Sequence, residues 1–187
     1  MPLKTPELTK FTTASPAVVS YSSLDILSRT GYQLFYLSLT TWDIGAGDVE
    51  KSILTTSRIE GGPSYSAFGV RSGSFDLSPF PQAVTIKGIA TFTGQVHGSI
   101  GDVMTASLWH VEDDGTTETL IGTEAHVGVN DGRPFSISFD VSEKLFASGE
   151  ILRLKASSEA WFSADPSGTR PGDRNPSKLN VPFKIDI

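Results

Sequence analysis

The chain has 187 residues, 38% of them hydrophobic and 19% charged, with 18 Gly and 11 Pro, which fits one turn-rich globular domain. A formal charge of -6 opposes a phosphate backbone and no Lys/Arg cluster with interleaved aromatics offsets it, so nucleic acid is not expected as a partner. Cysteine is absent, which removes disulfides and thiolate metal ligation and leaves packing or assembly to hold the fold.

Residues 1–16 carry Pro2, Pro6 and Pro16 with Leu3, Leu8 and Phe11 between them, the pattern of an extended arm and not of a helix. The opening MPLKTPELTKFTT lacks the apolar centre of a signal peptide, and no later run reaches the roughly 18 apolar residues of a membrane span. Synthesis in a cytoplasm without Sec-type export, and no membrane partner, are the corresponding expectations. A single β domain over 17–187 follows the arm. Its first strong run, YQLFYLSL, puts Tyr32, Leu34 and Tyr36 on one face and Phe35, Leu37 and Leu39 on the other, as in a central or covered strand. Between Thr41 and Pro81 the pattern weakens to one strand, ILTTSRI, among long loops, and Pro79 and Pro81 bar sheet pairing until Gln82.

From there the periodicity of two is clear. Val84, Ile86, Ala90, Phe92 and Val96 form one face of a long strand, with Gly88 and Gly94 as bulge or bend candidates. Val103–Val111 and Thr117–Val127 flank Asp113-Asp114-Gly115, a hairpin signal because Asp-Gly tolerates positive φ. Phe135, Ile137, Phe139 and Val141 alternate with Ser136, Ser138 and Asp140. Ser142 to Gly149 reads as one helical turn between a capping serine and a terminal glycine. Strands over Ile151–Ala156 and VPFKIDI, separated by a Pro/Gly/Arg-rich loop at 166–180, complete an all-β chain. The expected fold is an antiparallel two-sheet β-sandwich, jelly-roll-like, with an extended N-terminal arm.

Catalytic chemistry is not legible. There is no G-x-S-x-G elbow, P-loop or dinucleotide fingerprint, so no catalytic residues and no cofactor are assigned. His97, His110 and His126 match no metal spacing, and Glu112, Asp113, Asp114 and Glu118 lack the order of a calcium loop and read as a solvated hairpin tip, so no metal site is expected. A carboxylate pair for glycoside hydrolysis would be assembled in space and leaves no linear signature. Trp109 reads as core or interface. Trp161 and Phe162, with Tyr65, are the candidates for an aromatic glycan-binding platform.

The segments SYSSLDILSRTGYQLFYL, FDLSPF, LFASGEILRLKA, ADPSGTR and VPFKIDI, in that order, resemble a group of tailed-bacteriophage virion structural proteins. The resemblance implies a non-enzymatic capsid decoration (cement) protein, located in the virion and assembled in the host cytoplasm. Its implied partners are the major capsid protein lattice and other copies of itself, as a homo-oligomer such as a trimer. Leu3, Leu8 and Phe11 of the arm, then Arg170 and Arg174 of the late loop, are the expected assembly contacts. The loop between Asp165 and Val181 is shorter than such chains lead one to expect. Two alternatives stay open: a tail or baseplate glycan-binding module for host recognition, and a polysaccharide hydrolase.

Overall fold

A computed structural model describes residues 30–43, 48–56, 70–97, 100–164 and 176–184. They form β1 (Thr30–Asp43), β2 (Asp48–Thr55), β3 (Val70–Leu77), β4 (Val84–His97), β5 (Ile100–Val111), β6 (Glu118–Asn130), β7 (Pro134–Phe146), β8 (Ile151–Phe162) and β9 (Lys178–Lys184). The all-β expectation holds. In place of two separate sheets, the strands close into one barrel in the order β1-β2-β3-β8-β5-β6-β7-β4-β9. The reason is long-range pairing at both candidate edges: β9 bonds to β1 on one side and to β4 on the other. A further pairing of Val96 and His97 on β4 with Phe162 and Trp161 on β8 pinches the ring, because these strands lie on opposite sides of it. Among the described residues every strand pair is antiparallel except β2–β3, a short parallel contact at Ile53↔Asp76 and Leu54↔Leu77.

Local sequence explains most elements. On β7 the alternating Phe135, Ile137, Phe139 and Val141 are buried while Ser136, Ser138 and Asp140 are exposed, the pattern of a strand with one wet face. The helical turn expected at Ser142–Gly149 is corrected: β7 runs on to Phe146, and only the residues after it turn. Val84, Thr85 and Ile86 pair with Phe146, Leu145 and Lys144, and the register shift that follows sets two β7 residues, Ser142 and Glu143, against Lys87 alone before Gly88 pairs with Val141. Gly88 has φ 118°, a conformation that a side chain would strain. The bulge lets Glu143 point out to Lys87 and Lys184, both at 2.9 Å.

The Asp-Asp-Gly signal forms the expected β5–β6 hairpin, with Gly115 at φ 71° and Asp114 accepting from the Thr116 and Thr117 amides, each at 2.7 Å. The strand expected at ILTTSRI begins earlier, as β2 from Asp48, and shares Ile53, Leu54 and Thr55 with it, while Ser57, Arg58 and Ile59 lie outside the described residues; the same weakly patterned region also supplies β3, where Phe75 alone is fully buried.

Side chains fill the interior. Phe75, Phe92, Phe139, Phe146 and Phe162 are all fully buried beside Leu37, Ile86, Met104, Leu108, Leu152, Leu154 and Leu179. Phe92 meets Phe135 edge-on at 5.1 Å and Phe162 at 6.4 Å. Among the described residues the interior leaves no lumen for a ligand, so the surfaces open to recognition are the outer faces and the ends.

Candidate binding face along β8

On β8 the even-numbered residues from Leu152 to Phe162 point inward, apart from half-exposed Ser158, and the odd-numbered Arg153, Lys155, Ser157, Glu159 and Trp161 point out. Strand pairing carries this stripe sideways, because directly opposed residues present their side chains on one face. Ser157 lies between Ser72 of β3 and Thr105 of β5, Lys155 between Ser74 and Ser107, and Arg153 between Asp76 and Trp109. The outcome is a groove of about 400 Å³ lined by Ser72, Ser74, Thr105, Ser107, Ser157, Trp109 and Lys155. That volume falls within the roughly 300–1,000 Å³ of small-molecule sites.

Ionic contacts set one end of this groove. Trp109 donates its indole N–H to Ser107 Oγ at 2.8 Å, and Lys155 Nζ sits 4.2 Å from its ring centre. Lys155 in turn bonds to Glu118, as does Arg153, which also forks onto Asp76 at 2.5 and 2.7 Å. The Lys155 hydrogen bond, with help from Arg153, holds the Glu118 carboxyl below its ordinary range. Trp109 is therefore a half-buried residue of the outer face, not of the core.

A wide irregularity forms the other end. Between Val70 and Ser72 β3 advances two positions while β8 advances from Phe162 to Ser157, so β8 bulges. Asp102 of β5 holds the bulge by accepting from Ser158 Oγ and the Ala160 amide, both at 2.6 Å, and the Ser158 bond leads in lowering its pKa. The bulged end turns toward β4, where Trp161 pairs with His97. Trp161 is 36% exposed, and the Arg71 guanidinium stacks 4.7 Å from its ring centre.

Phe162 is corrected as a contact residue: it is 0% exposed, packed 6.3 Å from Phe75, so the expected surface pair reduces to Trp161. Tyr65, Leu3, Leu8, Phe11, Arg170 and Arg174 lie outside the described residues, as do the side chains of Trp42 and His126. Of the other histidines, His97 keeps Nε2 buried without a partner, while His110 Nε2 meets Glu150 at 2.7 Å. Among the described residues no group of three His, Asp or Glu side chains could hold a metal ion. Arg71, Lys155 and Asp102 carried no signal in the linear sequence. The only hint was parity, since Ser107 shares a face with Trp109, and Lys155 and Ser157 share one with Trp161.

Several carboxylates are stabilised as anions. Lys184 and then Lys87 lower Glu143 from 4.5 to about 2, and the His110 hydrogen bond leads in lowering Glu150. A depressed carboxyl adds stability that is complete above its unfolded pKa and is lost as pH falls through the folded value. The melting temperature should accordingly hold down to pH 4.5 and fall between there and about 2, with Glu143→Gln flattening the lower part of the fall. Calorimetry that finds a constant or rising melting temperature over that interval contradicts these contacts.

No protein-family model matches the chain, and no curated protein matches it. Among solved structures it is similar to a CocE/NonD family hydrolase from Staphylococcus aureus, at 10% identity and a TM-score of 0.47, over 83% of this chain and 34% of that one. An alpha-amino acid ester hydrolase gives 14% identity and a TM-score of 0.41, over 60% and 24%. The infectious bursal disease virus Gx strain gives 16% identity and a TM-score of 0.26, over 84% and 37%. The chain thus spans well under half the length of each.

Proposed function

We propose that this chain is a non-enzymatic structural protein of a tailed-phage virion, a capsid decoration protein that docks on the major capsid lattice as a homo-oligomer. One observation carries the reading. Four of the five short segments that resemble such proteins meet in space, while ADPSGTR lies, after Ala164, outside the described residues. Phe35, from the first segment, meets Phe183 of the last at 6.4 Å, Phe183 meets Phe80 of FDLSPF at 6.2 Å, and Phe80 meets Phe146 of LFASGEILRLKA at 5.2 Å. Backbone bonds lock the middle pair, Phe80 N–H to Glu150 O at 3.0 Å and Gly149 N–H to Phe80 O at 2.9 Å. One run of aromatic contacts therefore gathers four segments that lie far apart in the sequence, which supports reading them together. We read the pinched ring as a jelly-roll-like sandwich, a rigid body that suits a lattice component.

A decoration protein stabilises the head by bridging capsomers, since anything that binds only the assembled shell favours it by mass action. Heads purified from particles lacking this chain should release DNA at a lower temperature than heads to which it has been added back. Identical release temperatures with and without saturating protein count against the assignment.

A further inference from the structure

Beyond capsid docking, we propose that the outer face along β8 is a binding track for an extended polysaccharide that carries carboxylate groups. Two tryptophans, each with a cation over its ring, mark the ends: Trp109 under Lys155 and Trp161 under Arg71. Along the regular strand β3, Asp76, level with Trp109 across Arg153, and Val70, level with Phe162 beside Trp161, are six positions apart, a reach of roughly 20 Å at the strand rise, which calls for a chain and not for a single sugar. The floor between them offers the Ser72, Ser74 and Ser157 hydroxyls, which both donate and accept and so suit a ligand rich in hydroxyls. Glu159, exposed between Ser157 and Trp161 on the stripe, accepts from sugar hydroxyls.

The two cations differ, and that difference selects the ligand. Lys155 is neutralised by Glu118. Arg71 is exposed and stacks on Trp161, and among the described residues no carboxylate pairs with it, so its guanidinium N–H groups remain available. A guanidinium fixed flat on an indole presents a fork that fits a carboxylate, while the exposed part of Trp161 takes the apolar face of a sugar ring. The overall charge of -6 does not forbid this, because a charge is screened beyond about 8 Å at physiological salt and Arg71 acts at contact.

The test is native electrophoresis through gels holding polygalacturonate, with neutral dextran gels as reference. Wild-type protein should be retarded by polygalacturonate and not by dextran. Trp161→Ala and Arg71→Gln should each weaken retardation about tenfold, the scale of one lost charged or stacking contact. Arg133→Gln, which removes the same charge from the β6–β7 turn, should change nothing. Absence of wild-type retardation, equal retardation by dextran, or equal weakening by Arg133→Gln would each overturn the proposal. Far-ultraviolet spectra and melting of the same variants separate lost binding from lost folding, and head binding by the same proteins separates this site from capsid docking.

Discussion

Phe162→Ala should destabilise the protein by about 3–5 kcal/mol, whereas Trp161→Ala, one residue earlier, should change stability by less than about 1 kcal/mol. The contrast comes from strand parity. Phe162 is fully buried where β3, β8 and β4 converge, against Phe75 at 6.3 Å and Phe92 at 6.4 Å, so its removal opens a cavity at the pinch of the barrel. Trp161 faces outward at 36% exposure and stacks on Arg71, so its removal opens no enclosed cavity. Urea unfolding of both variants decides the point. Equal costs would mean that β8 is not oriented as described, and the outer face would then fall with it.

Arg153→Ala carries the second large effect, a loss of about 2–4 kcal/mol. Breaking a buried ion pair from one side typically costs about 3–5 kcal/mol because the partner is left uncompensated, and the side chains here are 17–21% exposed, which trims that figure. Arg153 satisfies Asp76 on β3 and Glu118 at the start of β6, so a single truncation strands Asp76 and leaves Glu118 with Lys155 alone. Combining it with Asp76→Ala should recover part of the loss, since the pair is coupled. A loss below about 0.5 kcal/mol, or strict additivity in the double variant, would show that solvent already screens the cluster.

The strands from Val84 to Leu154 were legible because one face of each is apolar and the other is not. Val84, Ile86, Ala90, Phe92 and Val96 needed only a period of two, and the hairpin at Gly115 needed only the conformational tolerance of Asp-Gly. β3 was hidden because VRSGSFDL spends most of its residues on a polar outer face and buries only Phe75 fully. The apparent helical turn at Ser142 misled because a bulged strand also places two polar residues in succession, and the spacing of Ser and Gly does not report the pairing of Phe146 with Val84. Closure of the ring could not be read at all. It depends on β9 reaching both β1 and β4 and on β8 bulging toward β4, partners that only the folded chain brings together. For the same reason Trp161 stood out as an aromatic beside a loop, while Arg71, which gives it chemistry, did not. The stacked pair comes from two distant strands.

The central claim is that this barrel acts by binding to a capsid lattice. Equilibrium sedimentation of the purified chain with heads that lack it, in parallel with a variant missing residues 1–16, tests it most directly. Saturable binding at a fixed number of copies per head, weakened or abolished without the segment that carries Leu3, Leu8 and Phe11, is the expected result. Failure of the intact chain to sediment with heads at any concentration would contradict the claim and leave the β8 face as the site on which a function must be sought.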